Sequence, residues 1–212
     1  MLSVPALFPT AYLPSVYYMA CLMRYDNIAI ETKETFPKQT CRNRAVISTG
    51  NGLQVLTVPV VRINGNHTRT EEIGISYQEP WHIRHWRAIE SAYSAAPFFL
   101  YYRDGLEKIL LQPWQRLADL NDALLRYLLI KLKIKCSVCF TEDYSPAETL
   151  GDSTIDYRNN LCSKHFQPEI PLHPYSQVFD MRYGFQPNLT TLDLLFNLGP
   201  ESKEYLRCVL CD

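Results

Sequence analysis

Three groups of residues in this 212-residue chain combine types and spacings that could do chemistry. Arg42, Asn43 and Arg44 stand in a β-rich run. Alternation along a strand would send both guanidinium forks to one side and Asn43 to the other, and paired forks suit a phosphate or a carboxylate. The same pattern also fits a charged strand edge that resists aggregation. His82 and His85 are three apart in a helical pattern, a spacing that could present a base or metal ligands, whereas the interleaved Trp81 and Trp86 favour packed imidazoles. Asp193 and Asn197 are four apart and so place an acid and an amide on one face of a closing helix. Thr190 and Asp193, however, also have the Thr-x-x-Asp spacing of a capping box, in which the carboxylate serves the helix end. Tyr12, Trp81 and Tyr93 add aromatic surface that either stacks on sugars and bases or packs in a core. The convergent expectation is an anion site with His85 and Asp193 as catalytic candidates. Tyr12, Arg42, Asn43, Arg44, Tyr93 and Asn197 would contact the substrate, a small anionic or sugar-linked ligand.

Other chemistries find less support. No GxGxxG, GxxxxGKS/T or HExxH occurs, so nothing indicates a dinucleotide, a P-loop nucleotide or a zincin metal, and no cofactor can be named. Seven cysteines, an odd number without an export-type leader, favour reduced thiols over a disulfide framework. Cys136-x-x-Cys139 and Cys208-x-x-Cys211, with Cys162 and His165 between them, could form a tetrahedral zinc site. The first pair sits in strand-like alternation and neither has the glycine of a knuckle turn, which favours small buried hydrophobes. Cys41 beside Arg42 would have the most acidic thiol.

The elements that must position these residues follow from periodicity. Hydrophobic content of 47% can bury a full core. A net charge of -1, from 21 basic and 22 acidic residues, gives no field for nucleic acid or anionic membranes. No apolar run approaches the roughly 18 residues of a membrane span, and Pro5, Pro9 and Pro14 interrupt any signal-type core, so a cytoplasmic protein is expected. Residues 3–8 and 28–31 read as strands, with a short helix through Val16 and Met19 between them. Cys41 to Ser48 and Leu53 to Val61 read as a hairpin around Thr49-Gly50-Asn51-Gly52, with Pro59 forcing the second strand to an edge or out of the ladder. Helices follow at Trp81 to Ala96, Phe98 to Leu111 and Leu117 to Leu132, the last with the cleanest apolar stripe. A strand over 134–141 and a long loop over 142–174, with a small strand around Leu161, precede a closing helix from Thr190 to Gly199-Pro200. The class is α/β, with α+β as the alternative: one domain over 1–212 with a mixed sheet, and residues 201–212 as a tail.

Tyr12-Leu13-Pro14, Arg42-Asn43-Arg44, Asn51-Gly52, Leu56 to Val60, Trp81 with Arg84-His85, Tyr93 with Ala96-Pro97, Asn188-Leu189-Thr190 and Leu192 to Gly199 together resemble the WbqC-like protein family. The chain departs from it at Phe8 and Pro9, where many members carry a histidine and a glutamine. Leu150 to Pro174 also replaces the serine- and glycine-rich stretch of longer members. The resemblance implies a bacterial protein of surface-polysaccharide gene clusters, with an acyl- or aminoacyl-transferase acting on a sugar as one role. It adds Asn188 to the binding candidates. A non-catalytic binder of a nucleotide-sugar, or a structural member without a working site, are the other two roles.

Overall fold

The computed structural model describes residues 6–151, 154–161 and 172–209. Four short strands form a parallel sheet, β1 (Ala6–Pro9), β2 (Asn27–Glu31), β7 (Ser137–Phe140) and β8 (Ile155–Asp156), in the order β7-β2-β1-β8. Helix α1 (Val16–Leu22) crosses between the first two and is buried along its whole length. Parallel strands must be covered on both faces, which is why Phe8, Ile28 and Ile30 are all buried in runs without polar alternation.

Between β2 and β7 the chain builds everything that carries the site. Strands β3 (Arg44–Thr49) and β4 (Gly52–Thr57) make the expected hairpin, with Thr49 paired to Gly52 across a two-residue turn and Gly52 at φ 99°. Pro59 ends the ladder, and β5 (Val60–Val61) pairs antiparallel with β6 (Gly74–Ile75) instead. Both strand orientations are therefore present, segregated into a parallel sheet and two antiparallel pairs. Helices α2 (Trp81–Tyr93), α3 (Phe99–Leu111) and α4 (Leu117–Lys131) pack in sequence, and Leu117, Leu120, Leu124 and Leu128 of α4 are fully buried. Among the described residues no helix is long and apolar enough to cross a membrane.

After a short α5 (Asp180–Tyr183), α6 (Thr191–Leu198) closes the domain. Thr190 caps it through its hydroxyl, and Gly199 ends it at φ 54°, where a Cβ would lie 2.5 Å from the Phe98 ring. The expected tail instead forms α7 (Ser202–Cys208) against α1, with Leu206 and Val209 buried. The expected strand near Leu161 lies earlier, as β8.

The cysteine readings need correction. Cys41 is disulfide-bonded, so it offers no thiolate, and Cys139 and Cys208 are exposed rather than buried. Cys162, His165 and Cys211 lie outside the described residues. Among the described residues no group of three or more His, Cys, Asp and Glu is placed to hold a metal.

Candidate functional site

Open α/β sheets usually bind ligands beyond the carboxyl ends of their strands. In this sheet those ends are filled by the chain's own charges. Arg158, following β8, grips Asp156 at 2.7 and 2.9 Å, reaches Glu31 at the end of β2 at 3.2 Å, and donates to the Ser145 carbonyl. Arg42 is buried beside it, with Nε donating to Glu34 at 2.6 Å and Nη2 to the Arg158 carbonyl at 3.2 Å. Burial still raises the Glu34 carboxyl above its ordinary value, although Arg42 opposes the shift. Arg42 is therefore an internal ion-pair residue, and the anion site expected from paired forks does not form around it.

The reason is local. Residues 41–43 are a turn, with the Asn43 amide donating to the Thr40 carbonyl, and the strand begins only at Arg44. Alternation thus does not govern Arg42 and Arg44. Asn43 replaces a ladder bond, its side-chain amide donating to the Val58 carbonyl at 3.0 Å. Arg44 differs from both, since its guanidinium has no partner among the described residues and its Nε is buried. It sits opposite Thr57 in the hairpin register.

Thr57 lines a cleft of about 450 Å3 between β4 and the start of α2. Gln54 to Thr57 and Pro59 form one wall, and Ser76, Gln78, Glu79, Trp81, Arg84 and His85 form the other. Pro80 starts α2 as expected, which puts Trp81 and His85 one turn apart on the same face. His85 Nδ1 lies 2.8 Å from the Tyr12 hydroxyl. Its Nε2 makes no hydrogen bond among the described residues and is not among the sealed polar atoms, so it is the nitrogen that meets the cleft. Trp81 stands edge-on to His85 at 5.1 Å and to Tyr12 at 6.5 Å, and its indole N–H is buried without an acceptor among the described residues.

Burial, with a smaller contribution from neighbouring His82, lowers the His85 pKa to about 4. Burial likewise pushes the Tyr12 phenol up, so Tyr12 remains a hydroxyl. At neutral pH the pair is uncharged. If Tyr12 donates, Nε2 carries the proton; if Nδ1 donates to the Tyr12 oxygen, Nε2 is a base. Either tautomer gives an exposed proton-transfer atom held by a buried partner. An ion pair of Arg84 and Glu79 stands exposed at the rim.

Asp193, the other catalytic candidate, is elsewhere. It neither reaches back to the α6 cap nor meets His85. Its Oδ1 accepts from Tyr175 at 2.8 Å and from Gln177 at 3.0 Å, and it is 1% exposed. Burial raises its carboxyl above the ordinary range, with the bonds from Tyr175 and Gln177 opposing. Tyr93 is fully buried and its hydroxyl faces Asp193 without a bond of good geometry, while Asn197 donates to the Asp193 carbonyl at 2.8 Å. Tyr93, Asp193 and Asn197 are thus brought together, but inside the core. Asn188 is apart from them at φ 54°, its side chain accepting the Tyr17 amide at the start of α1. Phe8 and Pro9 also serve packing: Phe8 stacks on Tyr157 at 4.6 Å and the Pro9 carbonyl accepts from Tyr18.

Of the expected site residues, His85 lines the cleft, with the buried Tyr12 holding it from behind and Arg44 paired to the lining residue Thr57. Sequence reasoning missed Gln54 to Thr57, Ser76, Gln78 and Glu79. Their only signal was Pro59, which forces the two strand systems apart.

Comparison with known proteins agrees with the resemblance carried by the motifs. Residues 10–168 match the model of the WbqC-like protein family, a span that includes every residue of the cleft. The chain is 31% identical over 228 residues to the Uncharacterized protein Rv1507c of Mycobacterium tuberculosis (strain ATCC 25618 / H37Rv), an alignment covering 95% of this chain and 96% of that one. No solved structure matches.

Proposed function

The chain belongs to the WbqC-like protein family, and from that premise we propose that it transfers an acyl or aminoacyl group to a sugar during surface-polysaccharide assembly. The observation that carries the reading is the neutral His85, anchored at Nδ1 by Tyr12 and open at Nε2 onto a cleft of small-ligand size. In this reading His85 Nε2 takes the proton from the attacking sugar hydroxyl or amine as it adds to the activated carbonyl, then returns it to the leaving group. Tyr12 is a positioning residue that fixes the imidazole. Trp81 supplies the apolar wall on which a sugar ring stacks. Arg44, unpaired and opposite Thr57, supplies the cation for an anionic group of the ligand. Asp193 has no part in the chemistry.

The test is direct. Purified protein is incubated with acyl-coenzyme A or aminoacyl donors and a panel of nucleotide-linked hydroxy- and amino-sugars, and acylated sugar is sought by mass spectrometry. Product formed by the native chain and reduced by roughly two orders of magnitude or more in His85→Gln is expected. Equal turnover by the two proteins would remove His85 from the reaction. A second reading, binding without transfer, is favoured by the lack of any acid in the cleft other than Glu79, which is held by Arg84. Tight sugar-nucleotide binding with no product from any donor would select it.

A further inference from the structure

The hairpin has two edges, and they are treated differently. Hydrogen-bonded pairs of β3 and β4 alternate with unbonded ones, and the Val58 amide donating to the Asn43 carbonyl fixes the phase. Leu56 and Gln54 therefore spend their backbone groups on β3, while Leu53, Val55 and Thr57 point theirs away from it. On β3 one of the corresponding outward groups is used: the Val46 carbonyl accepts from the Thr190 amide. On β4 the amides and carbonyls of Leu53, Val55 and Thr57 have no partner among the described residues.

That edge carries none of the usual protection. Gly52–Thr57 has no charge and no proline, and Leu53 and Val55 are more than half exposed. Two residues further on, the edge is occupied: the Ser76 amide donates to the Pro59 carbonyl at 2.9 Å, where β6 lies alongside β5. Beyond Ser76 the chain turns away through Gln78 and Glu79 into α2. The cleft is the space it vacates, with the open amides of Val55 and Thr57 on one side and Trp81 and His85 on the other.

We infer that this edge binds an extended ligand segment carrying secondary amides, which pairs with Val55 and Thr57 as a short added strand and continues the line of β6. The two open positions are about 7 Å apart, the span of one strand repeat, so the segment needs only two amides. A cleft of about 450 Å3 suits such an arm and not a partner's sheet. Two sources share this chemistry, the pantetheine arm of a thioester donor and a short peptidyl group. The inference rests on the cleft being the donor site of the proposed transfer, and it aligns the arm so that its reactive end reaches His85.

The experiment follows backbone amides in 1H–15N spectra of the full chain on titration with coenzyme A, with N-acetyl-Ala-N-methylamide, and with adenosine 3′,5′-bisphosphate as an armless control. Coenzyme A or the diamide should shift the Val55 and Thr57 amides and slow their exchange, and the one that does so identifies the source. Val55→Pro removes one donor at a position where the fold does not use it, and should weaken that probe roughly tenfold. Leu53→Pro, outside the cleft, should leave the affinity unchanged. His85→Gln should bind the probe as the native chain does, so transfer can fail while the strand pairing stands. The inference is overturned if neither probe protects the two amides, if the armless control protects them equally, or if Val55→Pro binds like the native chain. It is also overturned if protection without a probe rises with protein concentration, which would assign the edge to a second copy.

Discussion

Two buried titratable groups in this molecule are each tied to a tyrosine, Asp193 to Tyr175 and His85 to Tyr12, both at 2.8 Å. Burial pushes both toward the neutral form, raising Asp193 and lowering His85. They part in what remains free. Asp193 has its surroundings closed by Tyr175, Gln177, Tyr93 and Asn197, so no molecule can reach it. His85 keeps one ring nitrogen open to the cleft. A perturbed titratable group marks a functional site only when a second atom of it is accessible; otherwise it marks a scaffold.

Breaking the closed cluster should have the larger effect. Asp193→Ala leaves the Tyr175 hydroxyl and one N–H of the Gln177 amide buried without acceptors, and should destabilise the protein by about 3 kcal/mol in urea unfolding. A loss under about 1 kcal/mol would mean that water enters the cluster, and that the contrast with His85 is false.

The open cluster should be read out by pH. Because folding lowers the His85 pKa from its ordinary 6.5 to about 4, the unfolded chain binds more protons between those values. Stability contributed by the neutral imidazole is therefore full above about pH 6.5 and is lost as pH falls toward 4, by on the order of 3 kcal/mol at most. Chemical denaturation across that window should show the slope, and His85→Gln should flatten it. An unchanged slope in the variant would place the titration elsewhere.

Tyr12→Phe is a smaller perturbation. It should cost about 1 kcal/mol of stability and shift the imidazole nitrogen resonances by releasing Nδ1, without unfolding the cleft. Smallest of all is Arg44→Gln. With no partner among the described residues to lose, it should change stability by less than about 0.5 kcal/mol, while weakening an anionic ligand and reducing the salt dependence of its binding. Arg44→Gln as damaging as removal of a buried ion pair would show that Arg44 belongs with Arg42.

Much of the fold was legible because it is written in local pattern. The α4 stripe, the Pro80 start of α2, the Thr49 to Gly52 turn and the Pro59 interruption each depend on a few neighbouring residues and occur as read. The site was legible only where one helical turn brought its residues together, as for Trp81 and His85. Asp193 misled because the spacing that suits a cap also suits an acceptor for Tyr175 and Gln177, whose approach depends on tertiary packing. Arg42 misled because a turn at 41–43 breaks the alternation that Arg42-Asn43-Arg44 suggests. The β4 edge was invisible, since an edge is defined by what does not pair with it.

The parallel sheet also sets a clock on synthesis. Ala6 of β1 waits for Ile155 of β8, and Ile28 of β2 for Val138 of β7. At roughly 5–20 residues per second, a ribosome needs on the order of 10 s or more between making the inner strands and making those that flank them. Through that interval the buried Phe8, Ile28 and Ile30 have no completed sheet to enter, so the nascent chain, more than the finished protein, is the form that most needs a chaperone's protection.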